Sequence, residues 1–301
     1  MKIDKRNGNV CFNEKSHTYF DYGEESSKYI SVTTLIERYG QEFNKDFWSN
    51  YKALEKLIPK DNWKIEKKSL LNTKRFNKDL LSLYNISEDE FNKVKQDILD
   101  EWQKNNEEAC VRGTKIHSEL ENSFYRKAKD ITLQKYGIGG KFECKKDYTD
   151  LDLEYGTYPE YLIYRVSDDK VLKLAGQVDL IIKSGNEIII VDYKTNRKID
   201  LKSGFDTTSR SNIKMKYPLN NIQDSNFWHY TLQLSTYAWM LQKINPKFII
   251  KDLILDHFDH DGKETLYHCE YLKNDVERML KHYKKELLLQ QKRNKRKPIE
   301  Y

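Results

Sequence analysis

Three apolar runs in the middle of the chain constrain its fold most strongly: Tyr161–Val166 (YLIYRV), Val171–Ile182 (VLKLAGQVDLII) and Glu187–Lys194 (EIIIVDYK). Isoleucine and valine dominate at successive positions instead of alternating with polar residues, the pattern of strands covered on both faces. Two short turn segments, Ser167–Lys170 and Ser184–Glu187, separate the runs. Helical patterns lie on either side, so an α/β (α+β) architecture is expected, with a central mixed sheet flanked by helices.

Asp179 and Asp192 interrupt those runs. A lone carboxylate in an apolar strand is costly to desolvate. If Gly185-Asn186 is a two-residue hairpin turn, Ser184 faces Glu187, and counting five positions back along each strand sets Asp179 against Asp192. Facing Cβ atoms lie about 5 Å apart, where like charges repel. A divalent cation between the two acids would relieve both costs. Lys194, two positions beyond Asp192, shares its sheet face. An even-residue turn at Asp168-Asp169 sets Glu160 opposite Gln177, which adds a third acid to that face. Hard oxygen donors in this number suit Mg²⁺, with Mn²⁺ able to substitute, better than Zn²⁺.

The rest of the chain frames this centre. With 301 residues, 33% charged, 38% hydrophobic and 13% aromatic, it is too rich in aromatic groups for a disordered polyelectrolyte. No apolar run reaches the roughly 20 residues that would cross a bilayer, so no membrane is expected as a partner. The start, MKIDKRNGNV, lacks an apolar secretory core, and a cytoplasmic setting is expected. Cys11, Cys110, Cys144 and Cys269 are far apart, so reduced and mostly buried thiols are expected, without a clustered metal set. Short strands are expected at Asn9–Phe12, Thr18–Tyr22 and Tyr29–Thr33. Helical patterns follow over 44–105 and 106–127; Ser87 and Glu90 form a capping box there. After the strands, Thr195–Ser225 is a long polar connection carrying six cations, expected either to border the site around these acids or to be a solvated insertion. Then come a helix at Phe227–Gln242, a strand pair at Phe248–Phe258 and Glu264–Tyr271, and a last helix at Asn274–Gln290. Residues 281–301 hold eight Lys/Arg against two Glu, which is the whole net charge of +6. Three parts are expected: 1–105, strands and helices; 106–280, the core; 281–301, a basic helix end and tail.

Helical spacing adds further candidates. His117 lies in Arg112-Gly113-Thr114-Lys115-Ile116-His117, with Glu121 one turn later, and Gln233 and Tyr237 share a helix face. The order R-G-T-x-x-H, Gly176-Gln177-Val178-Asp179, Asp192-Tyr193-Lys194-Thr195 and Q-x-x-x-Y resembles the RecB-like branch of the PD-(D/E)XK nuclease superfamily. That branch includes phage-type exonucleases and the mitochondrial genome maintenance exonuclease. The resemblance spans 112–237.

The resemblance implies a restriction-endonuclease-like core and Mg²⁺-dependent hydrolysis of DNA, most simply by an exonuclease of recombination, repair or replication. It implies His117, Asp179, Asp192 and the backbone carbonyl of Tyr193 as metal ligands. Lys194 would orient or activate water, and Glu160 would be an additional catalytic acid. Gln233, Tyr237, Arg112, Thr114 and Thr195 would bind substrate or support the site. Branch members with an iron–sulfur cluster carry clustered cysteines after the core; only Cys269 follows it here, so no cluster is expected. The chain has no G-x-x-x-x-G-K-[ST] loop, so a helicase or recombination partner would have to supply strand separation. A phage-encoded enzyme in the host cytoplasm is one setting implied. Alternatives are a structure-specific or single-strand endonuclease and a non-catalytic nucleic-acid-binding module.

Overall fold

The computed structural model describes residues 2–145, 153–206 and 210–295. In chain order the elements begin with β1 (Lys5–Asn7), β2 (Val10–Asn13), β3 (Thr18–Asp21), β4 (Glu24–Ser31) and α1 (Val32–Glu37). Next are α2 (Lys45–Leu57), α3 (Lys60–Thr73), α4 (Asp79–Leu83) and α5 (Glu88–Lys127). The middle holds β5 (Ile131–Leu133), β6 (Ile138–Phe142), β7 (Gly156–Val166), β8 (Lys173–Ser184), β9 (Glu187–Lys194), β10 (Phe205–Asp206) and β11 (Ser211–Asn212). The chain closes with α6 (Asn226–Ile244), β12 (Ile249–Phe258), β13 (Glu264–His268) and α7 (Lys273–Lys295). Two compact units result: 1–40, 115–204 and 214–301 form the first, and 41–114 with 205–213 the second.

The first unit is built on a nine-stranded mixed sheet ordered β1-β2-β3-β4-β8-β9-β12-β13, with β7 also on β8. The sheet forks at β8. One edge of β8 pairs with β7 along almost its full length. The other edge pairs first with β4, at Leu174 and Ala175, and then with β9, from Leu180 to Ser184. Between them, Gly176–Asp179 has no ladder partner on that edge, which leaves room for side chains from elsewhere. Leu174, Ile181, Ile188 and Ile190 pack under α6 and α7 in the main core. Leu180, Ile182, Ile189 and Val191 pack on the opposite face against Phe124, Tyr136 and Phe142. Both faces are therefore covered, as the unbroken apolar runs predict.

The second unit is helical, with a core of Phe47, Leu54, Trp63, Leu70, Phe91 and Ile98. The Asn44 side chain accepts from the Phe47 amide, 2.9 Å away, and caps α2. Pro59 stands between α2 and α3, where its ring bars continuation of the first helix. Ser87 Oγ accepts from the Glu90 amide at 3.2 Å, so half of the expected capping box is formed.

Several expectations are corrected. The two helical stretches meeting at 105/106 are one 40-residue helix, α5, because no proline interrupts it and the single Gly113 is tolerated within it. Thr33 belongs to α1, whose N-cap Ser31 accepts from the Thr34 amide. The Thr195–Ser225 connection is not without structure: it carries the β10–β11 hairpin, and Met215, Leu219 and Ile222 are buried in the main core. Cys11 and Cys144 are buried, but Cys110 is exposed; none of the four forms a disulfide. The last six residues of the basic tail and part of the 195–225 connection lie outside the described residues. Among the described residues, no helix is long and apolar enough to cross a membrane.

Candidate active site

The β8–β9 hairpin brings the first two acids together. Its register runs from Ser184–Glu187 to Leu180–Val191, as the two-residue turn predicts. The next pair, Asp179–Asp192, is not a ladder pair, and this corrects the simple face-to-face picture. On its other edge Asp192 keeps its pairing with Leu255, as β9 pairs with β12 from Glu187 to Lys194. Asp179 Oδ2 accepts from the Tyr193 amide at 2.6 Å, so the side chain caps the end of the β8–β9 ladder.

Glu160 arrives by a different route from the one its turn suggested. The loop after β7 is six residues long, not two, and Val166 pairs with Lys173. Leu162 therefore faces Gln177, and the ladder skips from Pro159–Leu180 to Tyr161–Val178. Glu160 and Asp179 fall together in that gap. Both loop lengths are even, so Glu160 keeps its expected face although its partner shifts by two. Its φ of +52° is unusual for a non-glycine residue and marks a local kink. Side-chain alternation slips at the same place: Tyr158, Tyr161 and Val178, Ile181 all face the main core. Such paired irregularities re-aim side chains next to functional sites. The Glu160 carboxylate also accepts from the Gln177 amide through Oε2.

His117 comes from α5. Its Nε2–H donates to the Tyr193 carbonyl at 3.1 Å, which orients the ring and turns Nδ1 toward the acids. Nδ1 lies 3.6 Å from Asp179 Oδ1 and 3.8 Å from Glu160 Oε1. One donor atom from each of His117, Glu160 and Asp179 lies within 4.8 Å of the other two.

Asp192 and Lys194 stand beside this triad. Asp192 is 1% exposed, and its Oδ1 accepts from Gln233 Nε2 at 2.9 Å. Lys194 Nζ lies 2.6 Å from Asp192 Oδ2 as an ion pair. Gln233 Oε1 is 3.4 Å from Lys194 Nζ, so one amide from α6 holds both members of the pair. The Tyr230 ring lies 4.5 Å from the same ammonium. Tyr237 is buried, and its hydroxyl accepts from Gln233 at 3.3 Å. A Cβ on Gly176 would fall 2.6 Å from the Tyr237 ring, so the glycine of G-x-x-D makes room for the tyrosine of Q-x-x-x-Y. Thr195 is half-buried directly after β9; Arg112 is half-buried and Thr114 exposed on α5.

Charge follows from this packing. Burial, together with the neighbouring Asp192, pushes the Asp179 carboxyl up to about 7. Burial works to lower the His117 imidazole, but Asp179 and Glu160 outweigh it and raise the group to about 9. Lys194 is also desolvated, yet Asp192 and Asp179 hold its ammonium above the ordinary lysine value. The acids thus carry more negative charge than their surroundings can solvate. That is an electrostatic condition that favours a cation.

Four neighbours were not singled out from the sequence as site residues. Glu121 follows His117 by one turn, and Tyr230 precedes Gln233 by three, so helical spacing could have found both. His257 Nε2 lies 2.7 Å from the carbonyl of Asn196, just past β9, and Lys5 enters from β1; neither carries a local signal.

Acids, an imidazole and a lysine gather where the mixed sheet forks. The family model of the PD-(D/E)XK nuclease superfamily matches residues 75–300. The chain belongs to the PD-(D/E)XK nuclease superfamily. It is 27% identical over 242 residues to the RecBCD enzyme subunit RecB of Borreliella burgdorferi, a match covering 73% of this chain and 19% of RecB. The chain therefore spans about a fifth of that relative's length. Two solved structures are also similar. One, SSO0001, has a TM-score of 0.35 and 17% identity over 87% of this chain and 75% of its own. The other, a putative exonuclease from Eubacterium rectale, has a TM-score of 0.32 and 11% identity over 86% and 80%.

Proposed function

We propose that this protein is a Mg²⁺-dependent DNA nuclease, working as an exonuclease in recombination, repair or replication. The observation that carries the reading is the convergence of His117, Glu160 and Asp179 donors within 4.8 Å, with the Asp192–Lys194 pair alongside. The donor set fits a hard divalent cation: carboxylate oxygens predominate, one imidazole adds a nitrogen, and the buried Asp192 stands beside them.

His117, Asp179, Asp192 and Glu160 would hold the ion, with the Tyr193 carbonyl both orienting His117 and keeping a lone pair available. When bound, a divalent ion lowers the pKa of water and withdraws charge from the phosphate. Lys194 keeps its proton and presents a positive charge to the phosphate oxygens. Gln233 and Tyr230 restrict it to one position, so little reorganisation is needed as charge develops. Thr195, Arg112 and Thr114 are the proposed contacts to the nucleic-acid backbone. The similarity to a subunit of the RecBCD enzyme supports a helicase or recombination partner, and the proposed setting is the cytoplasm.

End-labelled linear DNA and circular single-stranded DNA, each incubated with Mg²⁺, test the reading. Linear DNA should be degraded and the circle spared, since an exonuclease needs an end; cutting of the circle would assign an endonuclease instead. Lys194→Ala or Asp192→Asn should reduce cleavage by about 10²-fold or more with the fold retained. Normal turnover in either purified variant would remove the assigned chemistry.

A further inference from the structure

The N-terminal hairpin places a second ammonium on the acidic cluster. Lys5 Nζ, from β1, lies 3.4 Å from Glu121 Oε1 and 3.6 Å from Glu160 Oε2. β1 is held there by the buried Asn7, whose Nδ2 donates to the Leu162 carbonyl of β7 at 2.7 Å. The anchor on β7 is thus two residues from Glu160. Glu160 is divided among three neighbours: Oε1 faces His117, and Oε2 faces Lys5 while accepting from the Gln177 amide. Glu121 has its own support from the Tyr125 hydroxyl, 3.0 Å from Oε1.

We propose that Lys5 is a built-in cation that occupies the Glu121–Glu160 position and limits the active site to one divalent ion. This rests on the nuclease reading above and goes beyond it, because it assigns the stoichiometry of the site and a residue that sets it.

Charge balance supports the assignment. The cluster holds four carboxylates, Glu121, Glu160, Asp179 and Asp192, and two ammoniums, Lys5 and Lys194. With His117 neutral, as a ligand must be, the surplus is two negative charges, which one dication cancels. Without Lys5 the surplus is three, and Glu121 and Glu160, each with a neutral hydrogen-bond donor, lose the cation they share beside the first ion. A second dication then has a place to bind and charge to neutralise. Lys5 is a positioning residue in this account: it holds Glu160 between two cations and keeps Oε1 turned toward His117.

Calorimetric titration of the full chain with Mn²⁺, free of DNA, tests the proposal. Wild type should bind one ion and Lys5→Met two, and Lys5→Arg should return the count to one. The double variant Lys5→Met/Glu121→Gln should also bind one, since it loses a donor of the second position. Melting in EDTA verifies that each variant is folded, and Lys5→Gln serves if Lys5→Met is not. Two ions in wild type, or one in folded Lys5→Met and Lys5→Gln, would overturn the role of Lys5. Asp179→Asn keeps this distinct from the underlying reading. If it binds Mn²⁺ as wild type does, the metal site itself has been misassigned; if it loses the ion while Lys5→Met still binds one, only the role of Lys5 falls.

Discussion

Asp179→Asn should make the metal-free protein more stable while abolishing its response to metal. In the folded apo protein the carboxyl titrates near 7 against 3.8 unperturbed. At about 1.4 kcal/mol for each tenfold change, holding it ionised at pH 8 costs at most about 4 kcal/mol. Asparagine keeps an oxygen for the Tyr193 amide, 2.6 Å away, and removes the repulsion from Asp192 and Glu160. That shift already includes the attraction to His117; relaxation around the ionised carboxyl reduces the cost, so we expect a net gain of about 1–2 kcal/mol, or about 2–5 °C in Tm for a chain of this size. The sign follows from linkage. A carboxyl raised in the folded state costs stability as pH climbs from its unfolded value to its folded one, so the advantage of asparagine should be largest above pH 7 and shrink toward pH 4. Differential scanning fluorimetry in EDTA at pH 4.5 and 8, repeated with Mn²⁺, measures both effects. Wild type should gain Tm with metal and the variant should not. A variant less stable than wild type at pH 8 without metal would refute the reasoning, because His117 and Lys194 would then already satisfy the acid.

His117 gives a related pH dependence. It is raised to about 9 from 6.5, so its contribution is complete below 6.5 and lost as pH rises through 9. Metal-free protein should lose Tm over that interval, and His117→Gln should flatten the slope. Gly176→Ala should cost about 1–3 kcal/mol in urea unfolding, since the new methyl would sit 2.6 Å from the Tyr237 ring. Asn7→Ala should cost about 1–3 kcal/mol by leaving the Leu162 carbonyl without its buried donor, which the same urea titration would show.

Much of the site could be read from local pattern. Asp192 and Lys194 share a face because strand alternation has a period of two, and a two-residue turn carries its register as far as Leu180–Val191. Gln233, Tyr237, His117 and Glu121 follow helical spacing in the same way. Glu160 was harder. Its face survived because a six-residue loop and a two-residue loop have the same parity, but its partner was misplaced by two positions. Loop length depends on how the ends pack, and no residue at Asp168-Asp169 announces it.

What the chain alone determined, then, is everything set by neighbours within a turn or a hairpin: the apolar strands, the D-x-K pair and the helix faces. Tertiary structure decided the fork at β8, the kink at Glu160, the end of the ladder at Asp179 and the approach of Lys5. Each of these is a contact between distant segments. Its free energy comes from burying and pairing surfaces that a linear pattern does not bring together.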